Sequence, residues 1–413
     1  MSGGGNAADP RLDPAFVRGM TTRRGALRLL GASAAAVALA GCSIPGQGGR
    51  GKVTQATIDA FWKGRTGKGT LNWANWPGYM EDDQATIKAF TKDTGVKVVY
   101  KEVIQEAADW FGKVQAPLAA GQSIGFDLMV VTNGIQLTKM IELGFLAPLD
   151  HDRLQNFRKH AGPGFQNPAY DPGNAFTVPY VSGVTGIAYN TKYVKEEINS
   201  IAQLFDPKYK GKVGMMGDSQ ELGNFGMFAI GVDPQKSTPQ DWENAARKLR
   251  EQRDKGIVRK YYEQNYIDAV SKGDVWMTMA WSGDVYSLAS DEVRFAVPRE
   301  GGTLWTDNMM IPKPAPNPAD ALTLMDWLYD PRRNATLTEF INYVTPVPAA
   351  KQYIEADARA ADGEDKADLE RLAGSPLVFP GADDLARLRT YRVLTQQEET
   401  RYQKIFTPIA QGS

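Results

Sequence analysis

Two nearly continuous apolar runs, FDLMVV at 126–131 and VWMTMAW at 275–281, constrain this chain more than any other feature. Each is short and lacks polar alternation, so each reads as a strand covered on both faces, the usual condition of a strand in a parallel sheet. The flanking segments alternate strand and helix. Residues 70–73 read as a strand and 82–92 as a helix with Ile87 and Phe90 on one face. Behind the stop Thr94-Gly95, 96–100 read as a β-branched strand. Residues 110–120 and 135–142 are helices closed by Gly121 and Gly144. Around the second run, strands at 186–189 and 213–216 precede a helix at 238–254, capped by Thr238, opened by Pro239 and stopped by Gly256. Helices at 318–328 and 332–341 follow, then the proline-rich 345–348. This rhythm predicts an α/β fold.

The N-terminus carries an export signal. Arg23-Arg24 precede an apolar run from Leu29 to Ala40 that ends in Leu39-Ala40-Gly41-Cys42. The run is too short for the roughly 20 residues a membrane span needs, whereas the paired arginines fit a twin-arginine signal. The ending resembles a bacterial lipobox, so cleavage before Cys42 and lipidation of its thiol are expected. Cys42 is the sole cysteine, which rules out an intramolecular disulfide and leaves the fold to rest on its core. Residues 42–68 are expected to form a tether with a short helix near 57–63, holding the protein at the outer face of the cytoplasmic membrane. Loss of residues 1–41 removes five arginines and two aspartates, shifting the net charge from −1 to −4. That mild acidity, without a basic block, argues against nucleic acid as a partner. The remaining 372 residues exceed one ordinary core and suggest two lobes. With two histidines, His151 and His160, both read as solvated, the chain has little material for histidine-based catalysis or metal binding. No metal or cofactor is expected.

Four clusters carry the chemistry. The turn Trp76-Pro77-Gly78-Tyr79 follows a strand and reads equally as core packing or as a ligand wall. Asp218 and Glu221 follow the strand 213–216; Asp-x-x-Glu is also a helix-capping signature, although two acids at a strand end would suit a cation. Trp281-Ser282-Gly283-Asp284 and Trp305-Thr306-Asp307 repeat the pattern of tryptophan, small residue and carboxylate, each read at a strand end. Ligands of open α/β sheets bind beyond the carboxyl ends of strands. Indole faces attract organic cations, and carboxylates give charge-assisted hydrogen bonds to ammonium groups. A flexible alkyl polyamine uses both.

At these places the chain resembles the periplasmic spermidine- and putrescine-binding proteins of ABC importers. The resemblance runs from about Thr70 to the C-terminus and is carried by NWPGY (75–79), FDLMVV (126–131), VPYVSGVTGIAYN (178–190), PKYKGKVGMMGD (207–218), MAWSGD (279–284), GGTLWTDNMMIPK (301–313) and NYVTPVPAA (342–350). It implies a two-lobed periplasmic binding protein fold, α/β in both lobes, with the chain crossing twice between them and a ligand cleft in between. Lobe 1 would comprise 69–182 and 304–352, lobe 2 183–303 and 353–413, with crossings near 181–184 and 299–303. Residue by residue, the resemblance implies that Trp76, Tyr79 and Thr132 contact ligand from the first lobe and Asp218 and Glu221 from the second. Trp281 and Trp305 would be aromatic walls, Asp307 the main anchor and Tyr343 a further contact. Asp284, within Trp-x-Gly-Asp, is closer to the putrescine-binding pattern.

The chain also departs from the family. Pro77 stands where a small hydroxyl residue is usual, and Asn133-Gly134 lack an aromatic or acidic side chain. Near Tyr391-Arg392 the resemblance implies the polar amide contact of the spermidine binders, and an arginine inside the slot would repel a polyamine. The expected role is that of a monomeric, lipid-anchored, non-enzymatic receptor that delivers a polyamine to permease subunits. Two other readings compete. An exported hydrolase using paired carboxylates would show turnover, and a receptor of the same fold could take another organic amine; an anion would be repelled by these acids.

Overall fold

The computed structural model describes residues 53–263 and 265–411; the expected export signal and the expected lipidation site at Cys42 lie outside them. In chain order the strands are β1 Thr70–Asn75, β2 Lys97–Glu102, β3 Leu128–Thr132, β4 Thr177–Asn190, β5 Val213–Met216, β6 Val258–Tyr262, β7 Met277–Trp281, β8 Val293–Ala296, β9 Gly302–Met310 and β10 Leu388–Arg389. The helices are α1 Gln55–Trp62, α2 Ala85–Thr94, α3 Ala107–Ala119, α4 Ile135–Glu142, α5 Gln155–His160, α6 Ser219–Phe228, α7 Pro239–Asp254, α8 Tyr266–Lys272, α9 Ser282–Ser287, α10 Pro318–Trp327, α11 Pro331–Ile341, α12 Lys351–Ala360, α13 Gly363–Gly374, α14 Ala382–Ala386 and α15 Gln396–Ala410.

Hydrogen bonding joins the strands in the order β2-β1-β3-β9-β4-β7-β5-β6, with β8 on β4 and β10 on β9. At one end β2, β1 and β3 are parallel, and at the other so are β7, β5 and β6. Between the two parallel groups lie β4 and β9, antiparallel to each other over 177–185 and 303–310. The chain therefore passes along these two central strands from the first half to the second and back, and after α11 it returns to the second half, where α15 packs. Apolar side chains fill both faces of the first half, around Trp73, Leu128, Val130 and Met309 on one side and Trp110, Met129, Val131 and Met140 on the other. A separate core around Met215, Phe225, Trp242 and Met279 fills the second half.

Both apolar runs are strands, as their composition requires. In β3 and in β7 four buried residues are followed by one half-buried residue at the carboxyl end, Thr132 in the first and Trp281 in the second. The long strand β4 was expected only from 186; it starts at Thr177, ahead of Pro179, and is buried along all 14 residues. A proline has no amide to give to a ladder, and the register shifts between Pro179 and Val181 to accommodate it. Trp305 and Asp307, read as lying beyond a strand end, instead occupy the middle of β9. The two histidines are half-buried, not solvated, and His151 Nε2 lies 2.9 Å from the Asn174 carbonyl oxygen.

At the N-terminal side, α1 is docked on the first half: buried Trp62 donates through Nε1 to the Pro148 carbonyl at 2.8 Å. Late in the chain, α12 and α13 pack with α11 through Ala335, Ile354 and Leu372, joined by Tyr286 of α9. The last helix, α15, lies on the second half, burying Tyr402, Ile405, Phe406 and Ile409 in its core. Among the described residues no helix is long and apolar enough to cross a membrane.

Candidate functional site

Asp307 is placed by strand register. It pairs across β9 with Thr132, the last residue of β3, and across the other edge with Val181 of β4. The Thr132 hydroxyl donates to Asp307 Oδ1 at 2.5 Å and the Tyr79 hydroxyl to Oδ2 at 2.6 Å. Tyr79 reaches it from the turn after β1, where Asn75 Oδ1 accepts the Trp76 amide at 2.9 Å and Gly78 takes φ +71°. Tyr180 then holds the turn, its hydroxyl donating to the Tyr79 carbonyl at 2.7 Å. Asp307 is only 2 % exposed, and burial raises its carboxyl from the ordinary value to about 6 even though both hydroxyls favour the ionised form.

Asp284 lies in the first turn of α9, immediately beyond β7. It accepts hydrogen bonds from the hydroxyls of Tyr343, at 2.7 Å, and Tyr266; burial again raises its pKa. Glu221 is the third such acid, 2 % exposed. Its Oε1 accepts from Thr185 at 2.6 Å, Tyr391 at 2.8 Å and, more weakly, Trp281 Nε1 at 3.4 Å. Its Oε2 is buried with no partner. Burial is the main cause that lifts Glu221 to about 7, with the charge of Asp218 adding to it.

Aromatic rings bridge these acids. Trp305 meets Tyr343 at 5.2 Å between centroids and Trp281 at 6.3 Å, while Tyr79 lies 6.2 Å from Tyr343 and Tyr266 5.6 Å from Trp281. Trp305 stands opposite Gly183 of β4, and a Cβ there would come within 2.2 Å of the indole. The glycine lets the ring lie against the strand.

The ten positions singled out from sequence do not all play one part. Tyr79, Thr132, Glu221, Trp281, Asp284, Trp305, Asp307 and Tyr343 form one connected set of hydrogen bonds and ring contacts. Trp76, half-buried, packs against both apolar faces of the first half. Asp218 is the N-cap of α6, its Oδ1 accepting the amides of Gln220 and Glu221, each at 2.9 Å. The capping signature is therefore half fulfilled, because Glu221 turns away from the cap toward Thr185 and Tyr391. Tyr266, Thr185 and Tyr180 were missed, and Tyr391 was named only as lying near an expected polar contact. Arg392 does not enter the slot. It pairs with Glu398 at 2.6 Å, donates to the Ser237 carbonyl, and lies over the Trp242 ring at 5.5 Å.

The chemistry of the set is one-sided. Three largely buried carboxylates are faced by hydroxyls and indoles, and among the described residues none of them forms an ion pair with lysine or arginine. No group of three or more His, Cys, Asp or Glu among the described residues could hold a metal ion. Buried charges are ordinarily paired.

Two α/β halves joined by two crossing strands, with such a site at the junction, define a two-lobed binding protein for a small solute. The family profile of bacterial extracellular solute-binding proteins matches residues 85–367, and the chain belongs to that family. A putrescine/cadaverine-binding protein of Pseudomonas aeruginosa is 30 % identical over 373 residues, covering 86 % of this chain and 97 % of its own length. A spermidine/putrescine-binding periplasmic protein of Haemophilus influenzae is 28 % identical over 76 % of this chain and 82 % of its own. Among solved structures, the spermidine/putrescine ABC transporter substrate-binding protein of Streptococcus pneumoniae superposes with a TM-score of 0.69 at 23 % identity, covering 83 % of this chain and 99 % of that one. A lipoprotein of Treponema pallidum gives 0.69 at 19 % identity, covering 82 % and 99 %. The two-lobed periplasmic binding fold expected from sequence is borne out, as is the role of an extracellular solute-binding protein.

Proposed function

We propose that this protein captures a polyamine, a diamine or spermidine, in the slot between Asp307, Asp284 and Glu221 and hands it to the permease subunits of an ABC importer. One observation carries the reading: three largely buried carboxylates, linked through the rings of Tyr79, Trp281, Trp305 and Tyr343, have tyrosine and threonine hydroxyls for partners where a cation would be expected. Alkyl ammonium groups supply that charge, and the methylenes between them would lie against Trp281, Trp305 and Tyr343. Each indole face contributes roughly 0.5–2 kcal/mol toward an organic cation. Asp218 and Trp76 stand outside the connected set and in this reading bear on its ligand less directly. The lobe boundaries proposed from sequence, at 182/183 and 303/304, fall on the central strands β4 and β9, where a hinge would act. The named relatives bind putrescine, cadaverine or spermidine, which supports the same solute class here.

Residues 1–41 would be an export signal and Cys42 the lipidated first residue, anchoring a monomer at the membrane surface; the Treponema lipoprotein offers a parallel. Two acyl chains give stable anchoring where one is marginal. The site has no catalytic task in this reading, and its acids bind without turning a substrate over.

Calorimetric titration of the purified protein with putrescine, cadaverine, spermidine and spermine at two salt concentrations tests this. Saturable binding of at least one amine, weakened by salt, is the expected result. Absence of heat with all four would reject the polyamine and direct the search to other organic amines.

A further inference from the structure

The lobes meet at a second place, outside the carboxylate slot. Gly134 opens α4 two residues after Thr132, with φ +143° and no side-chain cap. The first amides of a helix need acceptors from elsewhere. Here the Ile135 amide donates to Gln220 Oε1 at 3.0 Å, and Gln220 sits in the first turn of α6, next to Glu221. A Cβ on Gly134 would stand 2.5 Å from that oxygen. Glycine is thus needed for the backbone angle and for the approach. The Ile135 side chain, 5 % exposed, is buried among the apolar residues of the second lobe although its helix belongs to the first.

One turn further along α4, Lys139 Nζ meets Glu399 Oε1 at 2.5 Å. Glu399 lies on α15, which is fixed to α6 and α7, and its side chain is 9 % exposed. Between α4 and the segment 392–399 remains a gap of about 10 Å³, the room of roughly one water.

We infer that Gln220, Gly134, Ile135, Lys139 and Glu399 form a clasp between the lobes that sets how long the closed state lasts, and hence how long a solute is held. The clasp rests on the two-lobed fold and on capture by closure, and does not depend on which solute is bound. Its groups have no bond to the slot carboxylates, so they bias the open–closed equilibrium without altering the first encounter. Gln220 and Glu221 are neighbours, as are Thr132 and Gly134 within one residue. The clasp and the solute groups therefore ride on the same two segments, and closing one brings the other together.

Stopped-flow tryptophan fluorescence with putrescine and spermidine as probes gives the test. Gln220→Ala and Glu399→Gln are each expected to raise the dissociation rate about three- to ten-fold, the worth of one hydrogen bond or partly buried ion pair, with the association rate unchanged. Gly134→Ala should have the larger effect. The exchanged pair Lys139→Glu with Glu399→Lys should recover most of what Glu399→Lys alone loses. Thermal melting of each variant separates loss of the clasp from loss of the fold. Single-molecule energy transfer between dyes on the two lobes measures the closed-state dwell time directly, with and without amine. Unchanged dissociation rates and dwell times in Gln220→Ala and Glu399→Gln would overturn the clasp. Failure of the wild-type protein to bind either amine would count against the polyamine reading instead, while the dwell times of the ligand-free proteins would still decide the clasp.

Discussion

Replacing Asp307 by asparagine is expected to weaken polyamine binding by roughly 30- to 4,000-fold while leaving the ligand-free protein at least as stable as before. The first part follows from burial. Asp307 is 2 % exposed, and removing one partner of a buried, hydrogen-bonded charge pair costs about 2–5 kcal/mol, at about 1.4 kcal/mol for each tenfold in affinity. The second part follows from its raised pKa of about 6: at neutral pH the ligand-free protein holds an unpaired buried charge, and asparagine removes that cost. The substituted amide would still bond to the hydroxyls of Tyr79 and Thr132, which can donate or accept, so the pocket should keep its shape. A gain or no change in melting temperature together with lost affinity would assign Asp307 to the solute. Unchanged affinity would remove it from the site. Trp305→Ala makes a useful contrast, since it deletes a wall packed on Gly183 and Tyr343 and should lower both affinity and stability. Calorimetry and thermal melting of the two variants side by side provide the check.

How much of this could be read from the chain depends on where each residue's neighbours lie in sequence. The runs at 126–131 and 275–281 announce β3 and β7 because a strand covered on both faces needs apolar residues throughout. β9 hides for the opposite reason. Thr303, Thr306, Asp307 and Asn308 are polar and buried, so the strand lacks both the apolar run and the alternation that mark strands. Their partners come from distant segments: Asn133 Oδ1 accepts the Thr306 amide at 2.7 Å, and the Tyr170 hydroxyl donates to Asn308 Oδ1 at 2.9 Å. No local pattern records such bonds. Within the site, tryptophan next to carboxylate was visible as a repeated cluster and Tyr79 and Tyr343 were named, but Tyr266 and Tyr391 were not recognised as partners of the carboxylates. Tyr266 lies 18 residues before Asp284, and Tyr391 lies 170 residues after Glu221. An isolated tyrosine in a helix or a loop looks like any other until the fold brings it to an acid. Arg392 illustrates the reverse error. The family resemblance places a polar contact near it, which suggested repulsion of a cation, whereas its side chain turns to Glu398 and Trp242.

Affinity for a polyamine should fall steeply as the pH drops from 8 to 5, by roughly 1,000-fold if both Glu221 and Asp307 must be ionised to hold it. Burial raises the ligand-free carboxyls to about 7 for Glu221 and about 6 for Asp307. A bound ammonium favours the ionised form and pulls these values down, so binding below pH 7 must expel protons. Near pH 8 both acids are ionised and affinity is full. A pH of 5 lies about two units below the pKa of Glu221 and about one unit below that of Asp307, and each unit costs close to tenfold. The ligand does not contribute to this slope, because primary ammonium groups, with pKa near 10 as in lysine, stay charged throughout. Stability of the ligand-free protein runs the other way. Both folded-state values lie above those of an unfolded chain, so the stabilisation by protonation is complete below about pH 4 and is lost as the pH rises through 6 and 7. The melting-temperature increase caused by the ligand should therefore widen from pH 5 to pH 8. Calorimetry in two buffers of different ionisation enthalpy counts the protons released, with more than one expected near pH 5.5 and almost none at pH 8.5. An affinity independent of pH across this range would mean that the acids are already ionised without ligand. The tyrosine-bonded arrangement of Asp307, Asp284 and Glu221 would then be a state that only the bound solute stabilises.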